Sequence, residues 1–121
     1  MAKRQADLDR GVERMMGLNG TTNDVTFTVT RGVTRPVWEP NAGTMALYEQ
    51  ARAVGAKIGL DLIHGSSGGG SDGNFTGAMG LPTLDSLGVR GADYHTLNEH
   101  IEVDSLVERG RLIAGLLATL Q

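Results

Sequence analysis

IGLDLIHGSSGGGSDGNFTGAMGLPTLDSLG, residues 58–88, is the stretch on which the fold turns. Residues 58–63 are short and rich in apolar side chains, which predicts a buried strand. From Gly65 to Gly73 the chain holds only Gly, Ser and Asp. Such a run lets the backbone turn tightly or approach a ligand. A short helix is expected over 73–79, closed by Gly80. Residues 81–87 read as a second strand, with Pro82 near its start, where a missing N–H is tolerated.

Working outward, residues 43–54 predict a helix with Leu47, Ala51 and Val54 on one face and Gly55 as its stop. Residues 88–103 form a long loop, and the last helix spans about 105–120. Ser105 and Glu108 have capping-box spacing there, and Leu106, Ile113, Leu117 and Leu120 make an apolar stripe. Helix, strand, helix, strand, helix is an α/β order that favours a parallel sheet covered by helices. Two strands alone are a marginal sheet in water.

Upstream, residues 3–16 predict a helix with Leu8, Val12 and Met15 on one face, ended by Gly17, Asn19 and Gly20. Residues 24–30 alternate, with Val25, Phe27 and Val29 opposite Thr26, Thr28 and Thr30, which predicts a half-buried antiparallel strand. Pro36 and Pro40 bracket an extended connector, the expected boundary between units 1–34 and 35–121.

With 121 residues, 40% hydrophobic and 21% charged, the chain is the size of one globular domain. A net charge of −3 without a basic stripe argues against nucleic acid. The absence of cysteine excludes disulfides and thiolate metal sites. No apolar run approaches the roughly 18 residues of a membrane helix. Residues 1–17 are charged from the start and are not a signal peptide. A cytoplasmic location is expected, although the chain reads as lacking its true N-terminus, which leaves a preceding signal open.

Gly68 to Gly73 satisfies G-x-G-x-x-G between a strand and a helix, so its amides could hold a phosphate or a carboxylate. A dinucleotide fits poorly, because no second nucleotide-binding half exists and Asp72 would repel a pyrophosphate. A bare turn is the alternative. His95 lies in a loop amid Asp93 and Glu99, a setting for a metal ligand or an ordinary exposed imidazole; Glu99 could orient its ring. His64 and His100 read as incidental. Arg35, beside rigid Pro36, could grip a carboxylate bidentately or simply be solvated. Asn19-Gly20-Thr21 and Asn74-Phe75-Thr76 fit the glycosylation sequon, a short pattern common by chance.

Four blocks in order carry a family resemblance: Arg35-Pro36-Val37-Trp38-Glu39-Pro40, Gly68 to Asn74, Leu81-Pro82-Thr83-Leu84-Asp85-Ser86-Leu87-Gly88, and Tyr94-His95-Thr96-Leu97-Asn98-Glu99. The chain resembles the C-terminal third of the two-zinc metallopeptidases that include glutamate carboxypeptidase, the aminoacylases and succinyl-diaminopimelate desuccinylase. The resemblance implies that residues 1–34 end a lid and dimerisation domain, and that 35–121 end a zinc-peptidase catalytic domain. It implies His95 as a zinc ligand, and Arg35, Gly69, Gly70 and Ser71 as contacts of the substrate's terminal carboxylate. It further implies two zinc ions, a peptide or N-acyl amino acid substrate, and a homodimer in the intact enzyme. The family's H-x-D and paired-glutamate segments, which supply the general base and the other metal ligands, are absent from these 121 residues. The chain alone is therefore expected not to hydrolyse amides. An anion- or nucleotide-binding module built on the Gly68–Gly73 loop is the alternative, and a purely structural or assembly role is a third reading.

Overall fold

The computed structural model describes residues 2–120. Among the described residues there are four helices and two small sheets, and the chain divides into two compact units. One comprises residues 1–39 and 66–81; the other comprises 40–65 and 82–121.

In the first unit, α1 spans Gln5–Met16 as its periodicity predicts. Leu8 and Val12 are half-buried, whereas Met15 is exposed. Two strands, β1 (Gly20–Thr22) and β2 (Val25–Phe27), then pair antiparallel with Thr22 opposite Val25. Asn23 and Asp24 join them with φ of 50° and 62°. Two left-handed residues make the turn whose twist suits a hairpin, and Asn and Asp tolerate that conformation better than most side chains. The sequence reading placed one strand over 24–30 and missed the hairpin. Both strands are exposed, so the expected half-buried face is corrected too. Beyond β2 the Asn19 side chain replaces a ladder rung. Its Nδ2 donates to Val29 O at 3.0 Å, and its Oδ1 accepts from Val29 N at 2.7 Å.

α3 (Gly73–Ala78) follows the Gly-rich run as expected. Its Gly77 is buried against Trp38, and a Cβ there would fall inside the indole. Only hydrogen fits at this crossing.

In the second unit, α2 (Ala42–Lys57) begins at Asn41, whose Oδ1 accepts from Thr44 N at 2.8 Å. The helix runs past Gly55, the expected stop, and the chain turns at Gly59 with φ of 79°. Gly55 is buried instead, with Leu62 and the Leu60 carbonyl within 3.2 Å of where a Cβ would sit. α4 (Ser105–Thr119) packs on α2, and Ala51, Val54, Leu112 and Leu116 form the core. Leu60, Leu62, Leu84 and Leu87 pack against it.

Two expectations fail here. Residues 58–63 and 81–87 lay leucines on the helices but join no ladder, so the predicted parallel strands are not formed. A strand is defined by its neighbours' hydrogen bonds, and alternation within one segment cannot supply them. The apolar stripe of α4 is also displaced by one residue. Leu112 and Leu116 are buried, while Leu106, Ile113, Leu117 and Leu120 are 41–72% exposed. One residue is a rotation of about 100°, enough to exchange faces.

The long loop carries a second pair of strands, β3 (Gly91–Ala92) and β4 (His100–Ile101). Gly91 lies so close to the His100 carbonyl that no side chain fits. Arg90 fastens this stem. Its N–H donates to Ser105 Oγ at 2.9 Å, its Nε donates to Glu102 Oε2 at 2.8 Å, and its Nη1 donates to Glu108. Ser105 and Glu108 thus bind Arg90 rather than each other's backbone, which replaces the capping box. Glu102 foremost, with Glu108, raises the Arg90 pKa further above its ordinary value and keeps the guanidinium charged. Among the described residues no helix is long and apolar enough to cross a membrane.

Candidate functional site

Four of the five sequence-selected site residues belong to the first unit. Arg35 lies within an irregular segment, and the carbonyl of the next residue, Pro36, accepts from Asn74 Nδ2 at 2.8 Å. Asn74 Oδ1 in turn accepts from Ser71 N at 2.9 Å. One amide side chain therefore ties the arginine segment to the glycine loop. Gly70 allows the close approach: a Cβ there would lie 3.1 Å from Arg35 Cδ. Arg35 Nη2 donates to Asp72 Oδ1 at 3.1 Å, an ion pair between residues 37 apart in sequence.

The loop amides are less bare than the sequence suggests. Gly69 N donates to Ser67 Oγ at 3.0 Å, Ser71 N to Asn74, and Gly73 N to Ser71 Oγ at 2.9 Å. These serine and asparagine contacts are the short-range turn bonds such residues favour. Among the described residues the amides of Gly70 and Asp72 retain no such partner. That leaves the Arg35 guanidinium and those two amides as candidate anion contacts. The six-residue α3 adds little dipole of its own. Trp38 Nε1 is buried without a hydrogen-bond partner, which marks the indole as a packing wall against Gly77. Sequence reasoning missed Asp72 and Asn74 as members of this site. Their places within the Gly68–Asn74 block were the available signal.

His95 belongs to the second unit, between β3 and β4, in left-handed backbone with φ of 66°. Glu99 Oε2 accepts from the His95 backbone N–H at 3.2 Å. The carboxylate therefore shapes the loop rather than orienting the ring, which corrects the expected role. Thr96 Oγ1 donates to Asp93 O at 2.7 Å and Tyr94 Oη to Gly91 O at 3.1 Å, closing the turn and leaving the imidazole exposed. His64 instead meets Tyr48 edge-on, with ring centroids 4.9 Å apart, and His100 Nδ1 lies 2.9 Å from Asn98 O.

A catalytic zinc takes about three protein ligands. Among the described residues no three His, Asp or Glu side chains converge. This donor set does not by itself fit a zinc ion.

A glycine closes on Arg35 and another on Trp38 in the first unit, and a histidine turn stands on the β3–β4 stem of the second. The chain belongs to Peptidase family M20/M25/M40, which it matches over residues 6–119. It is 31% identical over 99 residues to carboxypeptidase G2 of Pseudomonas sp. (strain RS-16), covering 80% of this chain and 23% of that protein. It is 31% identical over 86 residues to succinyl-diaminopimelate desuccinylase of Psychrobacter arcticus, covering 71% and 20%. An uncharacterized protein of Bacillus subtilis, YqjE, is 35% identical over 71 residues, covering 59% and 19%. The chain therefore spans about a fifth of the length of these relatives. No solved structure matches it.

Proposed function

We propose that the chain is part of a zinc-dependent carboxypeptidase or amidohydrolase that cleaves the amide bond to a C-terminal amino acid. The observation that carries this reading is the Arg35 guanidinium braced on Gly70 and tied through Asn74 to the loop of a peptidase-family chain. Arg35 and the Gly69–Ser71 loop, in which the Gly70 amide is not spent on a turn bond, hold the terminal carboxylate of a peptide or N-acyl amino acid. A bidentate guanidinium fixes the carboxylate's plane as well as its position, and so orients the adjoining amide. His95 supplies one metal ligand; the remaining ligands and the general base come from outside these residues. The chain alone is then catalytically inert, since one imidazole does not retain a catalytic zinc. Residues 1–34 belong to a lid that mediates homodimerisation, residues 35–121 to the catalytic domain, and the protein acts in the cytoplasm.

A chimera tests this: residues 6–119 replace the matched quarter of carboxypeptidase G2. Metal-dependent release of a C-terminal amino acid is expected. Arg35→Ala raises KM by roughly 10-fold or more, the worth of a charge-assisted hydrogen bond. His95→Ala lowers bound zinc, measured by atomic absorption, together with activity. An unchanged KM in Arg35→Ala removes the carboxylate role, and full zinc content in His95→Ala removes the ligand role.

A further inference from the structure

Asp72 has no helix-capping duty: it precedes α3 in helical backbone, and its side chain makes no cap hydrogen bond. Among the described residues its carboxylate partner is Arg35. The pair is single-pronged, one oxygen on one nitrogen at 3.1 Å, with side chains 90% exposed for Asp72 and 49% for Arg35. Yet the fold holds the pair together. Asn74 fastens the loop to the Pro36 carbonyl on one side and to the Ser71 amide on the other. Gly70 admits the arginine stem against the loop. A carboxylate has been placed on the one guanidinium that the proposed function assigns to a ligand's carboxylate.

We infer that Asp72 is a built-in competitor for Arg35, occupying the guanidinium until a ligand's carboxylate displaces it, and so setting which ligands the site admits. This rests on the reading of Arg35 as the carboxylate anchor. The exchange is cheap, because an exposed single-pronged ion pair contributes little. A ligand carboxylate can instead engage the fork with both oxygens. Neutral ligands, which cannot make that exchange, leave Asp72 in place. Once displaced, the Asp72 carboxylate swings into solvent, which its exposure allows.

The test is a nuclear magnetic resonance titration of the 121-residue chain with N-acetylalanine, following the Arg35 side-chain N–H and the Gly70 and Asp72 amides. Asp72→Asn binds about two- to five-fold more tightly than the parent, the release of a surface ion pair. Asp72→Glu, which keeps the charge, returns toward the parent affinity. Asp24→Asn, an equal charge change in the β1–β2 turn, leaves affinity unchanged, and the methylamide of N-acetylalanine does not bind. Equal strengthening by Asp24→Asn and Asp72→Asn would show diffuse charge and overturn the inference. Parent-like affinity in Asp72→Asn, with binding lost in Arg35→Ala, overturns the competitor and leaves the anchor standing. Undiminished binding in Arg35→Ala overturns the anchor itself. Inorganic phosphate binding as tightly as N-acetylalanine overturns the carboxylate class.

Discussion

Gly77→Ala is the sharpest probe of how this fold builds its site. In an ordinary helix the change from Gly to Ala is favourable by about 1 kcal/mol. Gly77 lies within α3, so propensity alone predicts stabilisation. The new Cβ, however, would fall inside van der Waals contact of three Trp38 ring atoms, Cδ1, Nε1 and Cγ. Carbon atoms rest roughly 3.5–4.0 Å apart, and a rigid indole cannot bend away as the end of a lysine would. The ring must shift as a body, and overpacking of this kind costs roughly 1–3 kcal/mol. The clash outweighs the propensity gain, leaving a net loss of about 1–2 kcal/mol. Trp38 is the sole tryptophan, so its fluorescence reports the change without ambiguity. Urea denaturation followed by that emission should show a lower midpoint, with a red-shifted folded baseline as the ring moves toward water. Trp38 lies three residues after Arg35, so carboxylate affinity should fall as well. In a Trp38→Ala background, followed by circular dichroism, adding Gly77→Ala should become neutral or stabilising. Gly77→Ala with parent stability and parent emission would refute the packing argument.

Leu112→Ala, at a wholly buried position, should destabilise the second unit by roughly 2–5 kcal/mol, whereas Leu117→Ala, 72% exposed, should stay within about 0.5 kcal/mol. Equal losses in chemical denaturation would restore the sequence-derived stripe. Ser105→Ala removes a wholly buried hydroxyl that accepts from Arg90 N and donates to Glu102 O. It should cost about 1–3 kcal/mol and speed amide hydrogen exchange at Arg90 and across the β3–β4 stem.

How much was legible follows the range of each signal. The 3.6-residue period marked α1, α2 and α4, and the glycine run followed by Asn74 and Phe75 marked α3, because helical hydrogen bonds close within four residues. The phase of α4 was not legible. Apolar residues occupy two adjacent faces, and which one is buried depends on where Val54 and Ala51 of α2 stand. The strands over 58–63 and 81–87 were inferred from composition, yet the structure uses them as leucine-bearing spans over the helices. Asn23-Asp24 was a usable turn signal that the alternation downstream obscured.

The amino-acid sequence by itself determined the family, the helices, and the candidates Arg35, Gly69, Gly70, Ser71 and His95, because each is a matter of residue type and local spacing. Tertiary structure alone decided that Asp72 sits on Arg35 across 37 residues, that Asn74 ties loop to connector, and that serine and asparagine side chains take the Gly69, Ser71 and Gly73 amides. Those contacts join groups whose approach depends on the path of the intervening chain. No local pattern encodes that path.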